Sequence, residues 1–365
     1  MAKCRPVPGV VGRKLFMEIF KELQKSINYL IFDVIMPKRN AKAVYNEIMK
    51  SKPILSGHFL ERVKRYRRPG LFPERNKMYT PQNSIKNTIS ARQLGDREFK
   101  QFSEFIEAQC GIKMPATKRT MLESRLQKRL RSLALESFRA YCDYLFSPEG
   151  MKNELIHMID VVTTNKTDFF REPVHFDFLN KNILAKIGAS GYPQKLRVWS
   201  AGCSSGEEPY TLAMVLQDFA ERCPGFSYSI LATDICTTVL QKAASGIYQD
   251  EDIIPVPLEL KRKYLLKSKD RSKGMVRIVP ELRRMVKFRR LNFMDSDFGL
   301  TGPVDVIFCR NVIIYFDRET QEKLLNKFYR LLAPGGYLFL GHSETLNGLN
   351  VPLVQVYSTV YRKQR

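Results

Sequence analysis

Two adjacent carboxylates, Glu207 and Glu208, follow the turn Gly202-Cys203-Ser204-Ser205-Gly206, and a third, Asp234, closes the apolar run YSILATDI at residues 228–235. Both places read as strand ends: LRVWSAGC (196–203) runs into the first, and the helix-like EPYTLAMVLQDFAERC leaves it. Ligands of an open parallel sheet sit beyond the carboxyl ends of its strands, so such residues are the ones presented to a ligand. Two later runs end the same way, MVKFRRLNF in Asn292 and Phe293, and VDVIFCRNVIIYF in Arg310 and Asn311 with Tyr315 close behind.

A glycine turn that opens a helix can seat phosphate. This one lacks GxGxxG and GxxxxGK[ST], and it places two carboxylates where a pyrophosphate would approach. Carboxylates there favour hydroxyls or a positive charge, and Asp234 stands where an acid accepts ribose hydroxyls. A nucleoside that carries a cation and no phosphate meets both conditions, which points to S-adenosylmethionine. Taken alone, the turn supports a second reading equally well. Glu207 would then only favour the helix dipole, an effect worth about 0.3–1 kcal/mol.

These strand ends need a sheet to hold them. Five apolar runs, at 196–203, 228–235, 285–293, 304–316 and 336–342, read as buried strands, and helical stretches separate several of them. Alternation of this kind predicts a mostly parallel sheet covered on both faces. The helix after Tyr315 has Asp317 as its N-cap and a glycine pair in RLLAPGG as its stop. VPLVQVYSTVYRK adds a closing antiparallel pair. The interval 246–284 breaks the rhythm and reads as a small inserted subdomain, suited to recognition more than to chemistry.

Residues 91–160 differ, with apolar residues at three- and four-residue spacing throughout, the pattern of a small all-helical domain. Its second helix carries Lys118, Arg119, Arg125, Lys128, Arg129 and Arg131 with Glu123 as the one acid among them, a face suited either to solvent or to an acidic helical partner. Residues 1–90 hold 19 Lys+Arg against 6 Asp+Glu, so +13 of the formal +23 lies in the first quarter of the chain. Within that segment NYLIFDVIMPKRNAKAVYNEIMK resembles the middle of a receiver domain, with Asp33 at the phosphoacceptor place. It lacks an upstream acidic pair for Mg²⁺ and reads as a truncated remnant that is not phosphorylated. RRPGLFPERNKMYTPQNSIKNTIS, rich in proline, asparagine and basic residues, reads as a linker.

Composition bounds the function. At 365 residues and 44% hydrophobic the chain builds at least one full core. Seven scattered cysteines without a CxxC, and four dispersed histidines, indicate neither zinc nor a disulfide framework. No apolar run of about 18 residues and no signal-peptide pattern occurs, which leaves the cytoplasm as the expected location and no membrane insertion.

The motifs together are more specific than any one of them. TTNKTDFFREPVHF (163–176), VWSAGCSSGEEPYTLA (198–213), ATDI (232–235), LNF (291–293), FCRNVIIYFD (308–317) and GHSE (341–344) follow in order, and over about residues 91–365 they closely resemble the chemotaxis receptor methyltransferases, the CheR family. The resemblance implies an α/β fold, a Rossmann-like S-adenosylmethionine-dependent methyltransferase sheet, with a small all-helical N-terminal domain (91–165) and a β-subdomain inserted at about 246–284 of a catalytic domain (166–365). It implies protein-glutamate O-methyltransferase activity on the cytoplasmic helical domain of methyl-accepting receptors, with S-adenosyl-L-homocysteine as product. Carried over by motif, Asn165, Thr167, Arg171, Glu208, Asp234, Asn292, Phe293, Arg310 and Asn311 contact the cofactor, and no metal takes part.

A glutamate substrate is already anionic at neutral pH, so alignment and exclusion of water are the demanding steps, not proton removal. Arg171 and Tyr315 are accordingly expected to be the catalytic pair, in orienting and electrostatic roles. A structural ion pair with Glu172 or Glu208 is the competing role for Arg171. Cys203 has no base to activate it in sequence and is expected to pack. Two other function classes stand beside this reading. The basic charge suggests a nucleic-acid methyltransferase, but no [DN]PP[YF] or PCQ signature occurs and most of the charge lies outside the catalytic region. A non-catalytic adaptor would keep the fold and bind cofactor without turnover.

Overall fold

Phe102, Phe105, Ile106 and Cys110 recur at helical spacing, and they form the buried side of α1, Asp96–Cys110, in the computed structural model, which describes residues 93–190 and 194–364. The receiver-like stretch around Asp33 and the basic linker lie outside the described residues. Gly111 ends α1 in the left-handed region, φ 72°, where its N–H reaches Glu107 O and a Cβ would stand 2.9 Å from Met294 Sδ. Helix α2, Arg119–Ser132, buries Leu122, Leu126 and Leu130. Ser137 and Ser147 cap α3, Phe138–Leu145, and α4, Pro148–Asn153, and α5, Leu155–Val162, completes the helical layer.

The basic face of α2 is not the free surface that its sequence suggests. Arg129 is turned inward, with Nε and Nη2 donating to the two oxygens of buried Glu154 at 2.7 and 2.8 Å. Arg125 donates to Val162 O, to Thr163 O at 3.0 Å and to Thr164 Oγ1 at 2.9 Å, and Arg119 pairs with Asp96. Lys128 and Arg131 stay exposed and form no ion pair among the described residues.

After the short helices α6, Val174–Phe178, and α7, Ala185–Ser190, the chain enters the main sheet. Its strands are β1 (Gln194–Ala201), β2 (Phe226–Asp234), β6 (Val286–Arg290), β7 (Val304–Cys309), β8 (Leu332–Leu340), β9 (Val354–Tyr357) and β10 (Val360–Arg362), in the order β6-β2-β1-β7-β8-β10-β9. The first five pair in parallel, and β10 joins β8 and β9 antiparallel. Successive residues of β7 enter opposite cores: Val306 and Phe308 pack with α8, Glu207–Arg222, while Ile307 and Cys309 pack with the far face. Between α9, Thr237–Ser245, and β6 a second sheet of β3 (Ile247–Gln249), β5 (Met275–Ile278) and β4 (Leu265–Lys267) runs antiparallel, accompanied by α10, Leu258–Tyr264, and α11, Pro280–Met285. Helix α12, Arg318–Leu331, covers the far face of the main sheet with Leu324, Leu325 and Phe328.

Element boundaries differ most from the sequence pattern at two places. The fourth strand stops at Cys309, because Asn311 takes φ 59° and the chain turns into a short 3₁₀ stretch, Ile313–Tyr315. Asp317 caps α12 by accepting Thr320 N at 2.7 Å as expected, but the glycine pair is not its stop. Leu332 is already paired with Val304 in the sheet, so strand pairing ends the helix first and Gly335 and Gly336 fall within β8. Among the described residues no helix is long and apolar enough to cross a membrane.

Candidate active site

Strands β1 and β7 are neighbours from which the sheet order runs off in opposite directions, so the crevice between their carboxyl ends is a topological switch point. Glu208 on the first turn of α8 and Arg310 just past β7 meet there, Nε to Oε2 at 2.7 Å, with side chains only 9% and 2% exposed. Ser200 Oγ donates to the other oxygen of Glu208 at 2.7 Å. Arg310 also donates to Arg171 O at 2.6 Å, stands 3.5 Å from Glu172 Oε2, and lies against the rings of Phe176 and Phe308. A buried ion pair needs such extra bonds to offset its desolvation. Glu207, in contrast, turns away to accept Ser205 Oγ at 2.7 Å and face Lys242, and burial raises its carboxyl above the usual range.

His175 completes this network. Burial first, and the Arg310 charge second, hold its imidazole down to about 4, so it is neutral at neutral pH. A neutral ring beside Arg310 accepts at Nδ1, 3.3 Å from Nη1, and gives its Nε2–H to Thr359 Oγ1 at 2.9 Å. Glu172, His175 and His342 bring three ligand atoms within 4.8 Å of one another. The Arg310 guanidinium lies within 3.5 Å of two of these residues, and a metal ion would meet its positive charge.

All ten residues singled out in the sequence line one cavity of about 220 Å³ at this crevice. Asp234 is buried; its oxygens accept Ser204 N at 2.8 Å and Cys236 N at 2.9 Å, and burial raises its carboxyl above the usual range. Ser204 Oγ donates to Asn165 O at 2.7 Å, which ties the loop of Asn165 and Thr167 to the turn after β1. Gly202 takes φ 88°, and a Cβ there would stand 2.6 Å from Val312 Cγ2. Asn292 donates its amide to Gln109 O at 2.7 Å, while Phe293 packs edge-on against Trp199. Arg171, half-buried, donates to Lys166 O at 3.0 Å and forms no ion pair among the described residues, so the pairing with Glu172 or Glu208 considered above is not made. Tyr315 is half-buried beneath Lys118, whose Nζ is 5.5 Å from the ring centroid. The helical layer supplies the facing wall, including Ile112, Met114 and Met121.

Several contributors carried no clear signal in the sequence. Buried Glu344 accepts four backbone N–H groups, from Asn311 at 2.9 Å, Val312 at 2.8 Å, Ile314 at 3.3 Å and Gly341 at 2.6 Å, and so fixes the loop that presents Asn311 and Tyr315. Its place just past the end of β8, in GHSE, was a usable hint. Around the cavity Phe170, Glu172, Ser204 and Asn311 all take positive φ, between 49° and 59°. Non-glycine residues in that region store backbone strain of order 1 kcal/mol each, which clusters at functional sites. Two thiols can be set aside as nucleophiles. Burial pushes Cys110, in the cavity wall, up to about 12, and raises Cys203 well above the ordinary range.

This geometry fits S-adenosylmethionine. Asn311 lines the cavity with its Oδ1 buried and unpartnered among the described residues, and Asp234 keeps lone pairs beyond the N–H groups of Ser204 and Cys236 that it accepts. The family comparison agrees. Residues 165–362 match the model "CheR methyltransferase, SAM binding domain", and residues 97–163 match "CheR methyltransferase, all-alpha domain". The chain belongs to the CheR methyltransferase family. It is 41% identical to a chemotaxis protein methyltransferase of Borreliella burgdorferi over 78% of its own length and 100% of the relative. The chemotaxis protein methyltransferase of Escherichia coli is 40% identical over 73% of this chain and 91% of its own length, and chemotaxis protein methyltransferase 2 of Pseudomonas aeruginosa is 39% identical over 72% and 92%. This CheR-family chain is therefore an S-adenosylmethionine-dependent methyltransferase of chemotaxis signalling, and residues 1–90 precede both matched spans.

Proposed function

We propose that the cavity at the switch point binds S-adenosylmethionine and that Arg171 and Tyr315 orient a glutamate side chain of a chemotaxis receptor's helical cytoplasmic domain for conversion to its γ-methyl ester. The observation that carries this reading is the contrast within the cavity: Arg310 and Glu208 are paired with each other, while Arg171, like Lys118 and Lys166, keeps a cation with no acid partner among the described residues. When bound, S-adenosylmethionine supplies the methyl group and leaves as S-adenosylhomocysteine. Asp234 accepts the ribose hydroxyls, and Asn165, Thr167, Asn292, Phe293 and Asn311 enclose the rest. Glu208 and Arg310 line the base and hold the two strand ends at a fixed separation.

The substrate carboxylate has an ordinary pKa near 4.3 and arrives ionised, which suits a site that offers a guanidinium and a phenol. Arg171 neutralises that charge as water leaves, and Tyr315 fixes the direction of approach; alignment of this kind is worth several kcal/mol of barrier. Docking of the acidic receptor helices falls to Lys128 and Arg131, the exposed cations of α2, and not to Arg125 and Arg129, whose guanidinium groups are used within the protein. We place the protein in the cytoplasm on this reading, beside the receptor domain it modifies. Calorimetric titration with S-adenosylhomocysteine tests the site: tight binding by the wild type should be lost in Asp234→Ala, and a folded wild type that binds nothing would refute it.

A further inference from the structure

Helix α9 begins without a side-chain cap of its own, because Cys236 occupies the N-cap position and makes no such bond. The helix is capped from elsewhere. Asp160, 77 residues before Thr237 and in the last turn of α5, accepts Thr237 N at 2.7 Å and Thr238 N at 3.1 Å, and it takes the hydroxyls of the same two threonines at 2.6 and 2.9 Å. One carboxylate thus satisfies two of the free amides of a helix start and places a negative charge at the positive end of the dipole.

What Asp160 joins matters more than the cap. Helix α5 runs directly into the loop that carries Asn165 and Thr167, and α9 starts three residues after Asp234. Further ties cross between the helical layer and the strand ends, Asn292 Nδ2 to Gln109 O at 2.7 Å, Lys113 N to Tyr315 O at 2.9 Å and the partly exposed ion pair of Lys113 with Asp317 at 3.8 Å. Among these the Asp160 tie alone gathers four hydrogen bonds on one carboxylate. We propose that Asp160 is a positioning residue that fastens the helical layer across the cavity, sets the separation between the Asn165 loop and Asp234, and thereby sets the affinity for S-adenosylmethionine. It touches no reacting atom, and the proposal rests on the reading of the cavity given above.

Asp160→Ala should weaken S-adenosylhomocysteine binding about tenfold, close to the size of one charge-assisted bond. The KM for S-adenosylmethionine should rise by a similar factor while kcat at saturation stays near that of the wild type. The double variant Asp160→Ala/Cys236→Ser separates the two roles, because serine is a good N-cap and restores the helix start without restoring the tie across the cavity. Affinity that stays low in the double variant supports the proposal. Affinity that returns to the wild-type value would show that capping alone mattered and overturn it, as would unchanged affinity in Asp160→Ala. Asp160→Asn, which keeps the shape and one acceptor oxygen, takes the same titration should the alanine variant not fold. A wild type that fails to bind S-adenosylhomocysteine would instead sink the reading of the cavity itself.

Discussion

At the base of the cavity Arg310 is buried with Glu208, Glu172 and His175 around it, whereas at the mouth Arg171 keeps a half-buried guanidinium that donates to a single backbone carbonyl. The same side chain serves opposite ends in the two places. A charge surrounded by fixed partners cannot be offered to a substrate without leaving those partners unpaired in a dry interior, so Arg310 can only be scaffold. A cation with no acid partner is already partly solvated and loses little when an incoming carboxylate replaces its water. On the proposed reading the base of this site serves rigidity, and the mouth recognition of negative charge.

The comparison is broken most severely at its base. Arg310→Met should cost about 3–5 kcal/mol of stability, because Glu208 would remain buried without a counter-charge. Chemical denaturation measures this, and a loss below about 1 kcal/mol would show that the pair is solvated enough to do without its partner. At the mouth the effect should move from stability to rate. Arg171→Ala is expected to lower kcat/KM for a receptor fragment roughly a hundredfold, about 2.7 kcal/mol of transition-state stabilisation, while leaving unfolding within about 0.5 kcal/mol of the wild type. Equal loss of stability and activity would place Arg171 with the base. Tyr315→Phe should sharpen the same contrast with a fall of about tenfold in kcat, the size of one hydrogen bond.

A smaller effect is expected on the helical layer. Lys128→Glu combined with Arg131→Glu should raise the KM for receptor several-fold and flatten its dependence on salt, with affinity for S-adenosylhomocysteine unchanged. Rates that match the wild type at limiting receptor would remove α2 from the docking surface. A further effect is read along the pH axis at His175, whose folded pKa of about 4 lies below its ordinary 6.5. Between those values the unfolded chain binds the extra proton, so stability falls as pH drops from about 6.5 towards 4. His175→Gln should make that part of the stability profile shallower, and an unaltered slope would assign it to other groups.

The sheet and the strand ends were legible because each is a local pattern. Alternating apolar runs gave the strands, and a glycine turn or a polar cluster after each run marked where a ligand could lie. What stayed hidden depends on pairs that no local pattern links. Glu208 and Arg310 are 102 residues apart, and nothing near either says that each neutralises the other. Arg125 and Arg129 read as surface cations until α5 is laid beside α2, where the C-terminal carbonyls of α5 take one and Glu154, just before it, takes the other. Glu344 ends the motif GHSE, but nothing local to that motif says that its backbone contacts make it the anchor of the Tyr315 loop. Arg310 and Asn311 were read at the end of the fourth strand, but the run VIFCRNVIIYF is apolar enough to continue past them, and the left-handed turn at Asn311 that stops it is set by tertiary contacts with Glu344 and Gly341.

The most direct measurement is transfer of a labelled methyl group from S-adenosylmethionine to the cytoplasmic fragment of a chemotaxis receptor, followed by mild base treatment. The account predicts label on the fragment that base releases as methanol, as a glutamyl ester requires, and a rate about a hundredfold lower with Arg171→Ala. Wild-type protein that binds S-adenosylhomocysteine yet leaves every receptor fragment unlabelled, or labels one in a base-stable form, would contradict it.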